Sequence, residues 1–322
     1  MASILRVRDN DGNIVEIPVM QGPPGVPGPA GPNQITTATA TDLNGVMVGD
    51  GEIVSAVNVL PISMGGLGAS DAAGARANLK VAEVLTTDVS YYVATTGSDS
   101  NNGLNSSTPL ATINAALAKI PKNLNGHTVI IAIAAGEYSE DVLISCFYSG
   151  TIKLLSSADT IISGRIRAVN NTCSVIIAGN PTISYNPAYN YNNNELLGLL
   201  CVINSTVGVE TGIKLQGPDS GPGSNVWPCG VLVNGGLVQL HLGSYQNAIV
   251  CNNVYAAIYV TGPGVVSCGG YITIGAGCTV GMRVNAGMIT TPGTSYITNE
   301  ATTKYSYAGG LITFGRAVNP TT

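Results

Sequence analysis

Two histidines, His127 and His241, and a thin scatter of carboxylates bound the chemistry open to this chain of 322 residues. A Ser-His-Asp triad or a multi-histidine metal centre needs an imidazole with close partners, and neither histidine has one nearby in sequence. His127 falls in a turn before a strand. His241 alternates with apolar residues in LVQLHLG and reads as an outward strand side chain. Cleavage of a polysaccharide needs two carboxylates flanking the bond, one as acid and one as base or nucleophile. Between residues 142 and 299 the only carboxylates are Asp159, Glu195, Glu210 and Asp219, without a D-x-D or D-D pair. Glu137, Glu140 and Asp141 cluster just before them and read as a solvated turn. No phosphate-binding loop, dinucleotide fingerprint or EF-hand pattern occurs. The expectation is no catalytic residue, no metal and no cofactor. A carboxylate pair assembled between copies of the chain stays open as a route to enzymatic function.

Recognition chemistry is better represented. Residues 184–195, SYNPAYNYNNNE, carry Tyr185, Tyr189 and Tyr191 among five asparagines that include Asn192. Residues 216–228, QGPDSGPGSNVWP, hold the single tryptophan, Trp227. Both segments are too long and too polar for regular strands, so the sequence has them protruding. Tyrosine and tryptophan offer flat apolar faces with a polar tip, and asparagine both donates and accepts. That mixture suits a sugar or a protein surface, and Tyr185, Tyr189, Tyr191, Asn192 and Trp227 are the contact candidates. The competing reading has these aromatics packing their loops onto the body of the protein or against a neighbouring chain.

The elements that position these residues follow from composition. Apolar residues make up 45% of the chain and charged residues 10%, with only two Phe and one Trp, so the apolar mass is Val, Ile, Leu and Ala. Enough apolar surface is present to argue against disorder. Too few charged residues are present to cover the wet faces of a helical bundle. Many glycines and asparagines between β-branched runs point to short strands and frequent turns. The net charge of −5 is carried wholly by residues 1–90, and no basic patch exists, which excludes nucleic acid as an expected partner. The longest apolar runs, such as residues 196–203, fall far short of the roughly 20 residues that span a bilayer, so no membrane insertion is expected. The opening MASILRVRDNDGN lacks the apolar core of a signal peptide, and assembly in a cytoplasm is expected. Seven cysteines, without a C-x-x-C pair, read as reduced and buried.

Four segments differ in composition. Residues 1–21 hold two β-rich stretches around a turn cluster at residues 9–13, a hairpin signal. Residues 22–33, GPPGVPGPAGPN, place Gly22, Gly25, Gly28 and Gly31 in strict period three. Only glycine fits at the crowded axis of three wound polyproline chains, so this run predicts trimerisation; a stiff single-chain linker is the alternative. Residues 34–90 are rich in Ala, Thr and Val, with a short helix expected over residues 71–79 behind an N-cap at Ser70. Residues 91–322 open with a helix at about 108–120, capped by Thr108 with Pro109 at its first turn, then continue as strands of three to six residues separated by Gly, Asn or Pro. Cys146, Cys173, Cys201 and Cys229 recur in steps of 27, 28 and 28, and Cys251 follows after 22. Periods in the twenties suit the coils of a solenoid and place these cysteines at equivalent inward positions.

Two stretches carry a family resemblance. Residues 60–82 resemble the GGTGA…AARxNLG segment of bacteriophage tail-fibre proteins through Gly65, Gly66, Gly68, Ala69, Ala72, Ala73, Ala75, Arg76, Asn78 and Leu79, with Leu67 and Lys80 departing from the pattern. The N-terminal ILRVRDNDGNIVEIP before collagen-like triplets looks like the start of phage and prophage tail proteins. Residues 91–121 resemble the opening of pectate-lyase-like right-handed parallel β-helices, through Tyr92, Val93, Gly97, Ser98, Asp99, Asn102, Gly103, Pro109, Ala111, Thr112 and Ile113. In that fold the helix plugs the end of the stack. The resemblance implies a mainly β, elongated, homotrimeric fibre: a particle-attachment element, a collagen-like connector, a neck, and a parallel β-helix over 91–322. It further implies a virion protein that contacts other virion proteins through its N-terminus and binds a host-surface glycan or protein. A polysaccharide depolymerase on the same fold, or a non-adhesive structural fibre of head or tail, are the alternatives.

Overall fold

The computed structural model describes residues 4–8, 11–18, 46–49, 54–57, 69, 71–79, 83–189, 198–218, 228–240, 249–275, 277–291 and 296–314. Gly22, Gly25, Gly28 and Gly31, with Tyr191, Asn192, Trp227 and His241, lie outside the described residues. The protein is mainly β, with 55% strand against 5% helix, and its sheets are long and parallel. No helix among the described residues is long and apolar enough to cross a membrane. The chain divides into two compact units, Met1–Val81 and Ala82–Thr322.

In the first unit, Ile4–Arg8 and Ile14–Pro18 form the expected antiparallel hairpin, with Ile4 opposite Pro18. Gly12 turns the chain at φ 87°, a conformation that costs glycine little. Arg6 and Glu16 are cross-strand partners and form an ion pair at 2.7 Å. A second antiparallel pair joins Val46–Gly49 to Val54–Val57. The helix α1 (Ala72–Leu79) starts one residue later than Ser70 would cap it, because the Asp71 carboxylate accepts the Gly74 N–H at 2.8 Å.

In the second unit the chain visits three rows of parallel strands in a fixed cyclic order. Thr128–Ile133 opens the cycle in the first row, Gly136–Tyr138 follows in the second and Asp141–Ser145 in the third. The next strand, Thr151–Ser156, returns to the first row and pairs with Thr128–Ile133. The order repeats to Leu311–Phe314. The second row is a seven-stranded sheet; the first and third are joined because Gly198–Val209 and Cys229–Leu240, 12 residues each, run through both. This arrangement is compatible with a parallel β-helix.

Alternation explains which side faces in. In Thr128–Ile133, Val129, Ile131 and Ile133 are buried and the residues between them are not. A side-chain period of two puts alternate residues on one face of a strand. Register then lines the buried positions up from coil to coil. Val129 pairs with Ile152, then Val175, Val207, Val238, Val266, Ile289 and Ile312 follow in turn. All eight are buried and β-branched. Such side chains are stiff at χ1 and suit a pleated surface, so each residue packs on a near copy of itself.

The coil repeat is 23 residues at both ends: Thr128 pairs with Thr151 and Thr151 with Ser174, and later Val265 with Met288. It lengthens to 32 between Ser174 and Thr206 and 31 between Thr206 and Leu237. The extra residues fall between Thr182–Ser184 and Gly198–Val209, and between Ile213–Gln216 and Cys229–Leu240. These are the Tyr-rich and Trp-containing segments, and both sit at the turn from the second row to the third. In the shorter coil the same turn is Gly164 alone, whose carbon-bound hydrogens face the Glu140 carbonyl so closely that a Cβ would lie 2.0 Å from its oxygen.

The turn from the third row to the first has its own repeat. Cys146, Asn170, Asn204 and Gly235 follow register-paired residues and all have positive φ, at 59°, 53°, 45° and 79°. Asparagine and glycine are the residues that best tolerate this region. Asn204 Nδ2 donates to Asn170 Oδ1 at 3.0 Å. One step on, the buried Asn171 accepts the Phe147 N–H at 3.0 Å and donates to Ile144 O at 2.8 Å, so the bend leaves its polar groups satisfied.

The equal cysteine spacing does not mark equivalent inward positions. Cys146 is exposed at a left-handed turn, and Cys173 precedes the strand Ser174–Ala178. Cys201 is opposite Arg167 and Leu232, on the side of its strand away from Leu200 and Val202. Cys229 is opposite Gly198. Steps of 27 and 28 drift against a repeat that changes between 23 and 32. Inward positions belong instead to Cys251 and Cys268, which pair with Leu215 and Leu240.

All seven cysteines are free thiols and only Cys146 is exposed. Burial pushes the Cys173 thiol up to about 11 and those of Cys201, Cys229 and Cys268 up to about 12. A thiol reagent at pH 8 should therefore titrate one fast thiol in the native protein and seven after denaturation. Fast native reaction of three or more would contradict this burial pattern.

Candidate functional site

The N-terminal end of the stack is held by carboxylates that the sequence reading left in solvent. The helix α2 (Ile113–Ala118) packs against Val89–Val93, Thr128–Ile133 and Asp141–Ser145, and buries Ile113, Ala116 and Leu117 in the main core. Its cap is Thr112 rather than Thr108: Thr112 Oγ1 accepts the Ala115 N–H at 3.1 Å. The shift arises because Leu110 stays extended, donating its N–H to Tyr92 O and accepting one from Ala94. Asp99 accepts the N–H groups of Ala111 and Thr112 at 2.9 and 3.0 Å. Glu140, 7% exposed, accepts those of Ile113 and Asn114 at 2.7 and 2.9 Å. Burial pushes the Glu140 carboxyl above its ordinary value, opposed by the hydrogen bonds from Asn114 and Ile113. A helix start leaves its first N–H groups without intrahelical partners, and here two acids and one hydroxyl supply them.

The neighbouring acids are engaged as well. Asp141 accepts from Arg165 Nη2 at 2.9 Å and Arg167 Nε at 2.8 Å, an ion triad across one inter-coil step. The turn read as solvated is thus a bracing cluster, because α2 closes over it. Glu210 pairs with Lys153. His127 Nδ1 lies 3.3 Å from Asp88 Oδ1, which also accepts the Thr128 N–H at 2.9 Å and fixes the start of that strand. The backbone hydrogen bond from Thr128 is the main cause holding the Asp88 carboxyl below its ordinary value.

Of the aromatic contact candidates, Tyr185 and Tyr189 are described, and neither protrudes. Tyr185 packs against the main core. Tyr189 donates its hydroxyl to Ser139 O at 2.6 Å and lies beside Gly164. Asn186 Nδ2 holds the segment to Ser163 at 3.2 Å. The start of this insertion is therefore folded back onto the coils, since the room above Gly164 admits a tyrosine ring.

The outer side of the third row carries what the sequence reading missed. Outward positions there would ordinarily be polar, yet Cys201 and Leu232 are buried and form a second apolar cluster with Cys229, Ala256 and Val280. Tyr255, Tyr259 and Ile203 pack on it. Register continues this line from Leu232 to Tyr259 and then Arg283. The Arg283 guanidinium lies 5.2 Å from the Tyr259 ring centre and 5.7 Å from that of Tyr255. Its Nη1 donates to the Tyr255 hydroxyl, and its Nε donates to Asn285 Oδ1 at 3.3 Å. Asn285 Nδ2 donates to the Tyr259 hydroxyl at 2.6 Å. The available signal was the pair of tyrosines four apart, Tyr255 and Tyr259, about one coil before Arg283. Near the other end, the first row bears a groove of about 500 Å³. Ala132, between Tyr92 and Leu155 in register, leaves its floor low, and Ser106 and Pro109 contribute to its lining.

Compared with family models, curated proteins and solved structures, the chain matches none.

If Glu140 seals the helix start, Glu140→Ala leaves two N–H groups without acceptors beneath α2. Loss of about 1–3 kcal/mol is expected in a urea unfolding series, with Glu140→Gln intermediate because one oxygen remains. An unchanged midpoint for Glu140→Ala would refute the sealing role.

Proposed function

We propose that this chain is a homotrimeric virion fibre of a bacteriophage that binds a receptor on the host surface. In this reading residues 1–21 attach to the particle and residues 22–33 form a short collagen-like triple helix. Residues 91–322 form a right-handed parallel β-helix that presents the binding surface. The sequence resemblances over 1–33, 60–82 and 91–121 support the class. The observation that carries the adhesive role is the distribution of extra sequence. Coils of 23 residues suffice to stack, yet the middle coils lengthen to 32 and 31 and place the Tyr-rich and Trp-containing insertions at one turn. That turn leads straight into the third row, whose outer side bears the Arg283 cluster. A rod with only a spacing role gains nothing from such insertions. Three chains per fibre, and several fibres per particle, would turn weak single contacts into firm adsorption.

Two measurements test the reading. Native mass spectrometry of the full chain should give three times the chain mass of 32.7 kDa. Labelled protein should bind whole cells of the host strain, and excess unlabelled protein should displace it without release of new reducing ends. Trp227→Ala should weaken that binding while the thermal midpoint holds, since energy at such surfaces concentrates in a few aromatic anchors. A monomer at micromolar concentration removes the trimer. No cell binding by a trimer leaves a structural fibre, and release of sugars identifies a depolymerase.

A further inference from the structure

The cluster around Arg283 has a chemical asymmetry. A guanidinium carries five N–H donors in a fixed fork. Arg283 uses Nε toward Asn285 and one Nη1 hydrogen toward Tyr255, which leaves three donors without a partner among the described residues. The hydroxyls of Tyr255 and Tyr259 both act as acceptors within the cluster, from Arg283 and from Asn285. Each therefore keeps its own O–H proton to donate. What the cluster offers to an incoming group is donors only, with one positive charge. The other cations of this outer face differ. Arg165 and Arg167 share Asp141, whereas Arg283 is paired with no carboxylate among the described residues. Two ring faces and two hydrogen bonds hold the guanidinium in place, so little side-chain freedom remains to be lost when a ligand arrives. The platform beneath is firm: Tyr255 and Tyr259 rest on the buried Cys201, Leu232 and Ala256 cluster.

We infer that Arg283, with the hydroxyls of Tyr255 and Tyr259, forms a binding site for the oxyanion of an acidic glycan. A planar carboxylate or a phosphodiester can take two parallel N–H bonds from the guanidinium. Either can accept from the tyrosine hydroxyls besides. The two sources of that oxyanion are a sugar carboxylate in a uronate polymer and the phosphodiester of a polyol phosphate polymer. The inference rests on the adhesive reading for its biological setting and supplies that reading with a ligand class. The site itself stands on the geometry of four side chains.

The test uses the full chain and three soluble probes in calorimetric or ligand-observed NMR titrations: an oligogalacturonate, a glycerol phosphate oligomer and a neutral malto-oligosaccharide. One or both anionic probes should bind and the neutral probe should not; which anionic probe binds identifies the source of the oxyanion. Arg283→Gln should weaken binding at least tenfold, and Arg283→Lys should recover only part because the fork is lost. Thermal midpoints show whether each variant is folded. If Arg283→Gln does not fold, Asn285→Ala, which releases Nε but keeps the charge, should weaken binding several-fold. Failure of the wild-type protein to bind either anionic probe overturns the site, as does equal binding by Arg283→Gln. Whole-cell binding separates the two readings. Full adsorption by a folded Arg283→Gln variant overturns the site as receptor contact and leaves adhesion standing. Arg283-dependent probe binding without cell adsorption supports the site and removes the adhesive reading.

Discussion

In-register stacking of β-branched side chains is the constraint on which the rest of the second unit depends. Val129, Ile152, Val175, Val207, Val238, Val266, Ile289 and Ile312 form one line through eight strands of the first row. Slipping one strand by a single residue would turn its apolar set outward and bring its polar set in. The line is therefore strongly specified. Everything between two of its members must leave the first row, pass through the second and third, and return to the same register. The chain is free in how many residues it spends on that circuit and fixed in where the circuit closes.

That freedom accounts for the placement of function. Turns within the short coils are tight, as the contact between Gly164 and the Glu140 carbonyl shows, and they accept little change. Longer circuits put their surplus at the turn from the second to the third row, where the core is not disturbed. The outer side of the third row then inherits two neighbours: inserted segments at one edge and the Asp141 ion triad at the N-terminal end. The apolar Cys201 and Leu232 on this outer side are the departure from ordinary alternation that marks it off from the other outer surfaces.

Much of the fold was legible because local patterning and global register agree. The N-terminal hairpin, the helix before the first strand and the succession of short strands each follow from residue type and spacing. The cysteine series misled because equal steps imply equal coils, and these coils are unequal. Helix α2 begins later than Thr108 and Pro109 suggest, since Leu110 is drawn into backbone pairing with Tyr92 and Ala94. Glu140 and Asp141 look solvated in sequence because their partners, Ile113, Asn114, Arg165 and Arg167, lie 24 to 27 residues away. The Arg283 cluster joins residues 24 to 28 apart, one coil, and becomes visible only when the repeat is known. Tyr185 and Tyr189 were chosen correctly as exceptional residues, but composition does not say whether an aromatic ring faces solvent or folds back.

A double-mutant cycle across the longest circuit of the ladder tests the stacking account most directly. Val175 and Val207 are 32 residues apart in sequence and adjacent in register, whereas Val175 and Ile289 are separated by several coils. Contacting residues show coupling of about 0.5–3 kcal/mol, and distant ones add within about 0.5 kcal/mol. Unfolding free energies of the Ala variants, single and double, should reveal coupling for Val175 with Val207 and additivity for Val175 with Ile289. Additivity in both pairs would contradict the register and, with it, the three-row stack.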